Sequence, residues 1–263
     1  FTEFGITLDH IRSGEWRDLI AGRPLPRPYL VTPEWVADRW RKWGEESPLW
    51  LGRVMAEFPE AGDGALVPLS WVTSSEERFR SADWGSYRPH EVVLGVDVAR
   101  FGSDSSVIYE RRDNLCKKLM EVHGADTMEV TGHIIRAQQQ TGASRVYIDE
   151  IGVGAGVVDR LKEQGYSWSI GVNFAASAQD EDQYANQRAE CYWLMRKAME
   201  EQRLDISNED FAGQVTAIRW LPNSKGKITI EGKDQLKARI GRSPDDADAV
   251  ALTFSQAQRV CIV

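Results

Sequence analysis

Three aspartate-bearing segments hold the residues best suited to chemistry. They are Val92-Val93-Leu94-Gly95-Val96-Asp97-Val98-Ala99, Val146-Tyr147-Ile148-Asp149-Glu150 and Ser243-Pro244-Asp245-Asp246-Ala247-Asp248-Ala249. Two of them set a carboxylate in an apolar strand, where an unpaired anion costs several kcal/mol. The third gathers carboxylates on the first turn of a helix. Brought together, they make an all-oxygen site of the kind that takes Mg²⁺ or Mn²⁺, hard ions that prefer oxygen ligands and keep several waters. Two such ions about 4 Å apart could activate a water and stabilise the leaving oxygen of an in-line displacement. This is the chemistry of a metal-dependent phosphodiesterase, and it requires neither a histidine nor a serine.

Each carboxylate also has a bland explanation. Gly95, Asp97 and Ala99 share one face of a strand, as do Tyr147 and Asp149. Either aspartate alone reads best as a strand-end cap; as a pair at one end of a parallel sheet they read as a site. The small neighbours of Asp97 leave room beside it for something other than side chains. In the third segment, Ser243 as N-cap and Pro244 at the first helical position put Asp246 where a capping box needs it. Asp246 is thereby explained by structure, while Asp245 and Asp248, three apart, share a helical face. The helix N-terminus favours their ionised form.

The elements that must position these residues begin near residue 86. Strands are expected at 91–100, 106–111, 115–123, 145–150 and 169–174, with helices at 126–141 and 152–164. This β-β-β-α-β-α-β order is not that of a doubly wound nucleotide fold, which alternates from the start. It is the order of an α/β, ribonuclease-H-like fold: a mixed five-stranded sheet flanked by helices, whose first and fourth strands are parallel neighbours. A long helix at 184–202, a β-hairpin at 217–221 and 227–231 and two closing helices from 233 and 244 follow. Residues 1–85 are rich in proline and tryptophan and read as a mainly helical appendage. Thr32-Pro33-Glu34 opens one of its helices and Gly44 closes it. A second helix follows Ser47-Pro48, and residues 23–28 are extended because prolines alternate there.

Bulk composition bounds the rest. The 263 residues are 42% hydrophobic and 27% charged, as in an ordinary globular protein. A net charge of −8 argues against a constitutive, tight nucleic-acid binder. The stretch 219–242 is nevertheless basic and directly precedes the third aspartate segment, which favours contact with phosphates through Lys233, Lys237, Arg239 and Arg242. Cys116, Cys191 and Cys261 have no metal-ligand spacing and read as reduced thiols of a cytoplasmic protein. The four histidines show no zinc spacing. No apolar run approaches the ~20 residues of a membrane helix, so no membrane partner is expected. Gly152-Val153-Gly154-Ala155-Gly156 is wrongly spaced for a dinucleotide loop and reads as backbone access or a tight turn beside Asp149.

Taken together, the three aspartate segments resemble motifs in the nuclease domain of tailed-phage terminase large subunits. The segments Asn186-Gln187-Arg188-Ala189-Glu190, Ser47-Pro48-Leu49-Trp50, Glu57-Phe58-Pro59 and Leu66-Val67-Pro68-Leu69-Ser70-Trp71-Val72 are also similar to that family. The resemblance implies a Mg²⁺- or Mn²⁺-dependent endonuclease that cuts concatemeric double-stranded viral DNA during packaging, in the cytoplasm of the infected host. It makes Asp97, Asp149 and Asp245 the metal-binding, catalytic aspartates with Asp248 as a fourth. Arg188 is expected to contact either DNA or the domain core, and Lys233 and the hairpin would lie near the DNA path. It further implies a preceding ATPase domain, of which residues 1–85 would be the end together with the interdomain linker. The non-methionine start fits that expectation. In the complete protein, ATP, the portal and the small terminase subunit would be partners. The alternatives are another nuclease of the same fold, such as a resolvase or transposase, or a non-catalytic docking module of a packaging motor.

Overall fold

The computed structural model describes residues 5–22, 31–45, 48–57, 64–99 and 105–256. The expected extended segment 23–28, the turn Gly102-Ser103-Asp104 and Cys261 lie outside these residues. The chain divides into two compact units, Phe1–Glu60 and Ala61–Val263. Among the described residues no helix is long and apolar enough to cross a membrane.

The first unit holds α1 (Leu8–Ser13), α2 (Trp16–Ile20), α3 (Pro33–Trp43) and α4 (Pro48–Arg53). Helix α3 starts where proline at its first turn and a threonine cap predict, with the Thr32 hydroxyl accepting from the Trp35 amide at 3.2 Å. Its tryptophans find partners close by. Trp35 and Trp43 meet edge to face with centroids 6.0 Å apart, and the Arg39 guanidinium lies over both rings.

The second unit runs α5 (Leu69–Ser81), β1 (Val92–Asp97), β2 (Ser105–Arg112), β3 (Leu115–His123), α6 (Thr127–Thr141), β4 (Arg145–Asp149), α7 (Val153–Glu163) and β5 (Ser169–Val172). Then come α8 (Gln187–Glu200), β6 (Asp205–Ile206), α9 (Glu209–Ala217), β7 (Trp220–Pro222), β8 (Ile228–Ile230), α10 (Lys233–Ile240) and α11 (Asp245–Leu252). The main sheet has the order β5-β4-β1-β2-β3-β6, and β7 pairs with β8 in a separate hairpin. As the element order predicts, β1 and β4 are parallel neighbours.

The sheet has six strands rather than the expected five. The short β6 is held against β3 by α5, a helix the sequence pattern does not announce. The Ser75 hydroxyl of α5 donates to the Leu204 carbonyl and accepts from the Ile206 amide, both at 2.9 Å, and Arg78 pairs with Asp205 at 2.5 Å. Helix α5 thus belongs to the second compact unit, Ala61–Val263. Helix α9 was also missed; the Asn208 side chain caps it by accepting from the Phe211 amide at 2.9 Å.

One face of the sheet is a conventional apolar core. Leu94, Val96, Ile108, Val146 and Ile148 pack against Val130 and Ile134 of α6 and Val157, Val158 and Leu161 of α7. The other face carries Gly95, Tyr109 and Tyr147 in register, and α11 lies directly on it. A Cβ on Gly95 would sit 2.0 Å from the Ala249 carbonyl oxygen. The space expected beside Asp97 is therefore taken, at Gly95, by the backbone of α11. Gly95→Ala forces α11 off the sheet, and such overpacking costs about 1–3 kcal/mol or more. A melting temperature lowered by several degrees, read by circular dichroism, is the expected outcome.

Candidate metal site

The contact at Gly95 fixes where α11 begins. The helix runs antiparallel to β1, so its first turn overhangs the strand's C-terminal end. The register pairs Val96 with Ile148, so the next residues, Asp97 and Asp149, leave the sheet at the same edge. Four carboxylates from three segments thus share one neighbourhood: Asp97, Asp149, Asp245 and Asp248.

Lys233, the first residue of α10, occupies the middle of that neighbourhood. Its Nζ lies 3.1 Å from Asp97 Oδ2, 3.1 Å from Asp248 Oδ2 and 3.7 Å from Asp245 Oδ1. Asp248 is buried and held on its other oxygen, where Oδ1 accepts from the Tyr192 hydroxyl at 2.6 Å and from Arg188 at 3.4 Å. Arg188 also donates to the Glu231 carbonyl at 2.6 Å and lies over the Tyr192 ring. Asp149 is set apart: its Oδ1 accepts from the Ile151 amide at 3.0 Å. Gly154 permits that turn, since a Cβ there would sit 1.7 Å from the Asp149 carbonyl oxygen. The glycine segment is thus a close approach of α7 to the end of β4.

Burial and like charge decide the protonation balance. Burial raises the Asp97 carboxyl well above the ordinary range; Lys233 opposes this, while Asp248, Asp245 and Asp149 add to it. Burial pushes Asp149 up to about 6 against the pull of the Ile151 amide. Burial acts to raise Asp248 too, but Lys233, Arg188 and the Tyr192 hydroxyl outweigh it and hold the group below the ordinary value. The same anions outweigh burial at Lys233 and keep its ammonium charged.

Among the described residues, no three acidic, histidine or cysteine side chains are arranged around one shared ion position. The carboxylates enclose an ammonium instead. The donor set nevertheless fits a hard divalent cation. All its ligands are oxygens, and a cation already sits where three of them converge.

Asp246 points elsewhere, and not for the expected reason. Helix α11 has Pro244 as N-cap with no side-chain capping bond, so there is no capping box. Asp246 accepts instead from the Tyr109 hydroxyl at 2.7 Å and Gln214 Nε2 at 2.9 Å, with Lys118 Nζ at 2.6 Å. It ties α11 to β2, β3 and α9. Asp246→Ala strands these buried partners at a cost of about 1–3 kcal/mol. A lower melting temperature is the expected outcome, with cleavage per folded molecule retained in a nuclease assay.

The basic residues predicted for DNA divide in two. Lys233 is in the site, and Lys237 is on the same short helix, α10. Arg239 grips Glu231 through both nitrogens of its fork and also donates to the Ala217 carbonyl at 2.5 Å. Arg242 pairs with Asp210 at 3.4 Å, and Arg188 is held by Asp248 and Glu231 as above. These arginines are engaged within the fold. Tyr192, which orients Asp248, was not singled out from sequence; a tyrosine on a long helix gives no signal of what its hydroxyl will meet. The thiols of Cys116 and Cys191 are buried and pushed up to about 12 by that burial, which keeps them in the unreactive protonated form.

A strand order with parallel β1 and β4 and carboxylates at their common end defines a ribonuclease-H-like fold. No protein-family model and no curated protein matches the chain. Solved structures do. The nuclease domain of the large terminase subunit gp2 of bacterial virus Sf6 is similar at a TM-score of 0.62 and 19% identity, over 74% of this chain and 100% of that one. A single-substitution form of the same domain, solved with manganese and beta-thujaplicinol, is similar at 0.61 and 19%, over 74% and 100%. Another, from bacteriophage Sf6 with calcium, stands at 0.59 and 19%, over 73% and 100%. The chain therefore has the fold of phage large terminase nuclease domains.

Proposed function

We propose that the chain is the nuclease part of a phage terminase large subunit: a divalent-metal-dependent endonuclease that cuts double-stranded DNA during genome packaging. The observation that carries this reading is the convergence of Asp97, Asp245 and Asp248 on one ammonium, with Asp149 at the same sheet edge. The fold likeness supports a terminase over a resolvase or transposase. On this reading, the residues before the α/β domain are the end of an ATPase domain and an interdomain linker. ATP, the portal and the small subunit are partners of the complete protein.

Asp97, Asp149, Asp245 and Asp248 would hold Mg²⁺ or Mn²⁺, two ions being the number the chemistry calls for. When bound, the ions supply charge stabilisation and an activated water for hydrolysis of a phosphodiester. The chain's own residues do the positioning. Tyr192 and Arg188 fix Asp248 from behind, so its remaining oxygen is aimed at the site. Lys233 keeps the carboxylates together and, with its side chain 39% exposed, can turn its ammonium toward a backbone phosphate. Lys237 extends that positive edge, and the β7–β8 hairpin precedes it in the chain, beside the path assigned to DNA.

Purified protein with Mg²⁺ or Mn²⁺ is expected to nick and linearise supercoiled plasmid with little sequence preference, and EDTA to stop it. Cleavage that persists in EDTA, or none with any divalent ion, would count against the reading.

A further inference from the structure

We propose that the far end of the same sheet face is a second binding site, for a phosphate-bearing small molecule of nucleotide size. Helix α11 has eight residues and so spans about 12 Å, from the carboxylates at its first turn to an opening beyond its last. A cavity of about 950 Å³ lies there, between the start of β1 and β4 and the second half of α8. That is the size range of small-molecule sites, about 300–1,000 Å³.

Its charge is opposite to that of the molecule. Arg111, Arg145, Lys197 and Arg203 line it against a single lining carboxylate, Glu91, although the chain carries a net charge of −8. Arg145 is 3.6 Å from Glu91, and Arg203 is paired with Glu201. The other two cations have no such partner among the described residues. Arg111 donates only to neutral groups: the Thr253 hydroxyl at 3.1 Å, the Thr253 carbonyl at 2.8 Å and the Asp113 carbonyl at 2.9 Å. These bonds close the end of α11, and the half-buried guanidinium also lies over the Phe254 ring, with Glu91 and Asp113 acting on it from beyond ion-pair distance. Burial lowers the Arg111 pKa, and the neighbouring Glu91 and Asp113 oppose it only in part. Lys197 has no carboxylate at ion-pair distance. A di- or triphosphate supplies negative charge to a rim where cations outnumber carboxylates and can accept from several of these groups at once. Leu194, with the Phe254 ring against which Arg111 stacks, lines the wall facing the rest of a nucleotide.

The test is isothermal titration of the whole chain in EDTA, which keeps divalent ions from mediating phosphate binding at the carboxylates. ATP is expected to bind, pyrophosphate to bind and adenosine to bind far more weakly. A higher affinity for ATP than for pyrophosphate assigns a nucleotide; equal affinities assign free polyphosphate. The double variant Arg145→Glu with Lys197→Glu should weaken ATP binding about tenfold or more, a loss of about 1.4 kcal/mol. Lys162→Glu, on the opposite face of the sheet, should leave it unchanged, and both variants should melt like the parent. Absence of binding at millimolar ATP would overturn the proposal. So would an equal loss in the Lys162 variant, or binding confined to a 12-base-pair DNA duplex.

Discussion

Asp97→Asn is expected to remove metal-dependent plasmid cleavage by about 10³-fold or more while the protein remains folded. The carboxylate stands at the end of β1, where α11 is pressed onto Gly95 and the first turn of that helix brings in Asp245 and Asp248. Asparagine keeps the shape and removes the charge that a cation requires. Several kcal/mol of transition-state stabilisation supplied through bound ions corresponds to a rate factor of that size. Folding should not suffer, because burial and three neighbouring carboxylates already disfavour the charged form of Asp97, so a neutral replacement relieves repulsion. The check is a cleavage time course with Mn²⁺ alongside thermal melts of both proteins in EDTA. A folded variant that cuts at the parental rate would remove Asp97 from the site. Asp149→Asn should behave alike.

Lys233→Ala is expected to make the protein's stability depend on a bound divalent ion. The ammonium is the counter-ion of Asp97, Asp245 and Asp248, so its removal leaves buried carboxylates facing one another. Breaking a fully buried pair costs about 3–5 kcal/mol; the lysine is part-exposed, so about 1–3 kcal/mol is the fitting range. For a unit of this size that lowers the melting temperature by about 2–10 °C in EDTA. Mg²⁺ or Mn²⁺ should then raise it by more than it raises the parent, because a divalent ion takes over the vacated counter-charge. Thermal shift assays with and without each ion provide the measurement. A variant as stable as the parent in EDTA, with no larger response to metal, would show that Lys233 does not hold the carboxylates together.

The framework of the site was legible because strand order and alternation are properties of local sequence. The run of three strands, a helix and a fourth strand foretold that Asp97 and Asp149 would leave the sheet at one edge. Preferring Asp248 to Asp246 followed from helical spacing. The reason given for Asp246 did not hold, because its partners Tyr109, Gln214 and Lys118 come from β2, α9 and β3. No local pattern announces such long-range bonds. Helix α5 and strand β6 were missed for the same cause: two strand residues are too few to carry a period, and Ser75 holds them from more than a hundred residues away. The basic stretch before α11 could not be sorted residue by residue from sequence. Lysine and arginine look alike as charge, yet Arg239 and Arg242 reach carboxylates of the fold, Glu231 and Asp210, and only contacts reveal that.

A crystal of the chain soaked in Mn²⁺, with anomalous differences recorded, tests the central claim most directly. The strongest peaks should lie among the carboxylates of Asp97, Asp149, Asp245 and Asp248, with the Lys233 ammonium displaced from its present contacts. Saturating Mn²⁺ with no peak in that cluster, in a protein that still cleaves DNA, would contradict it.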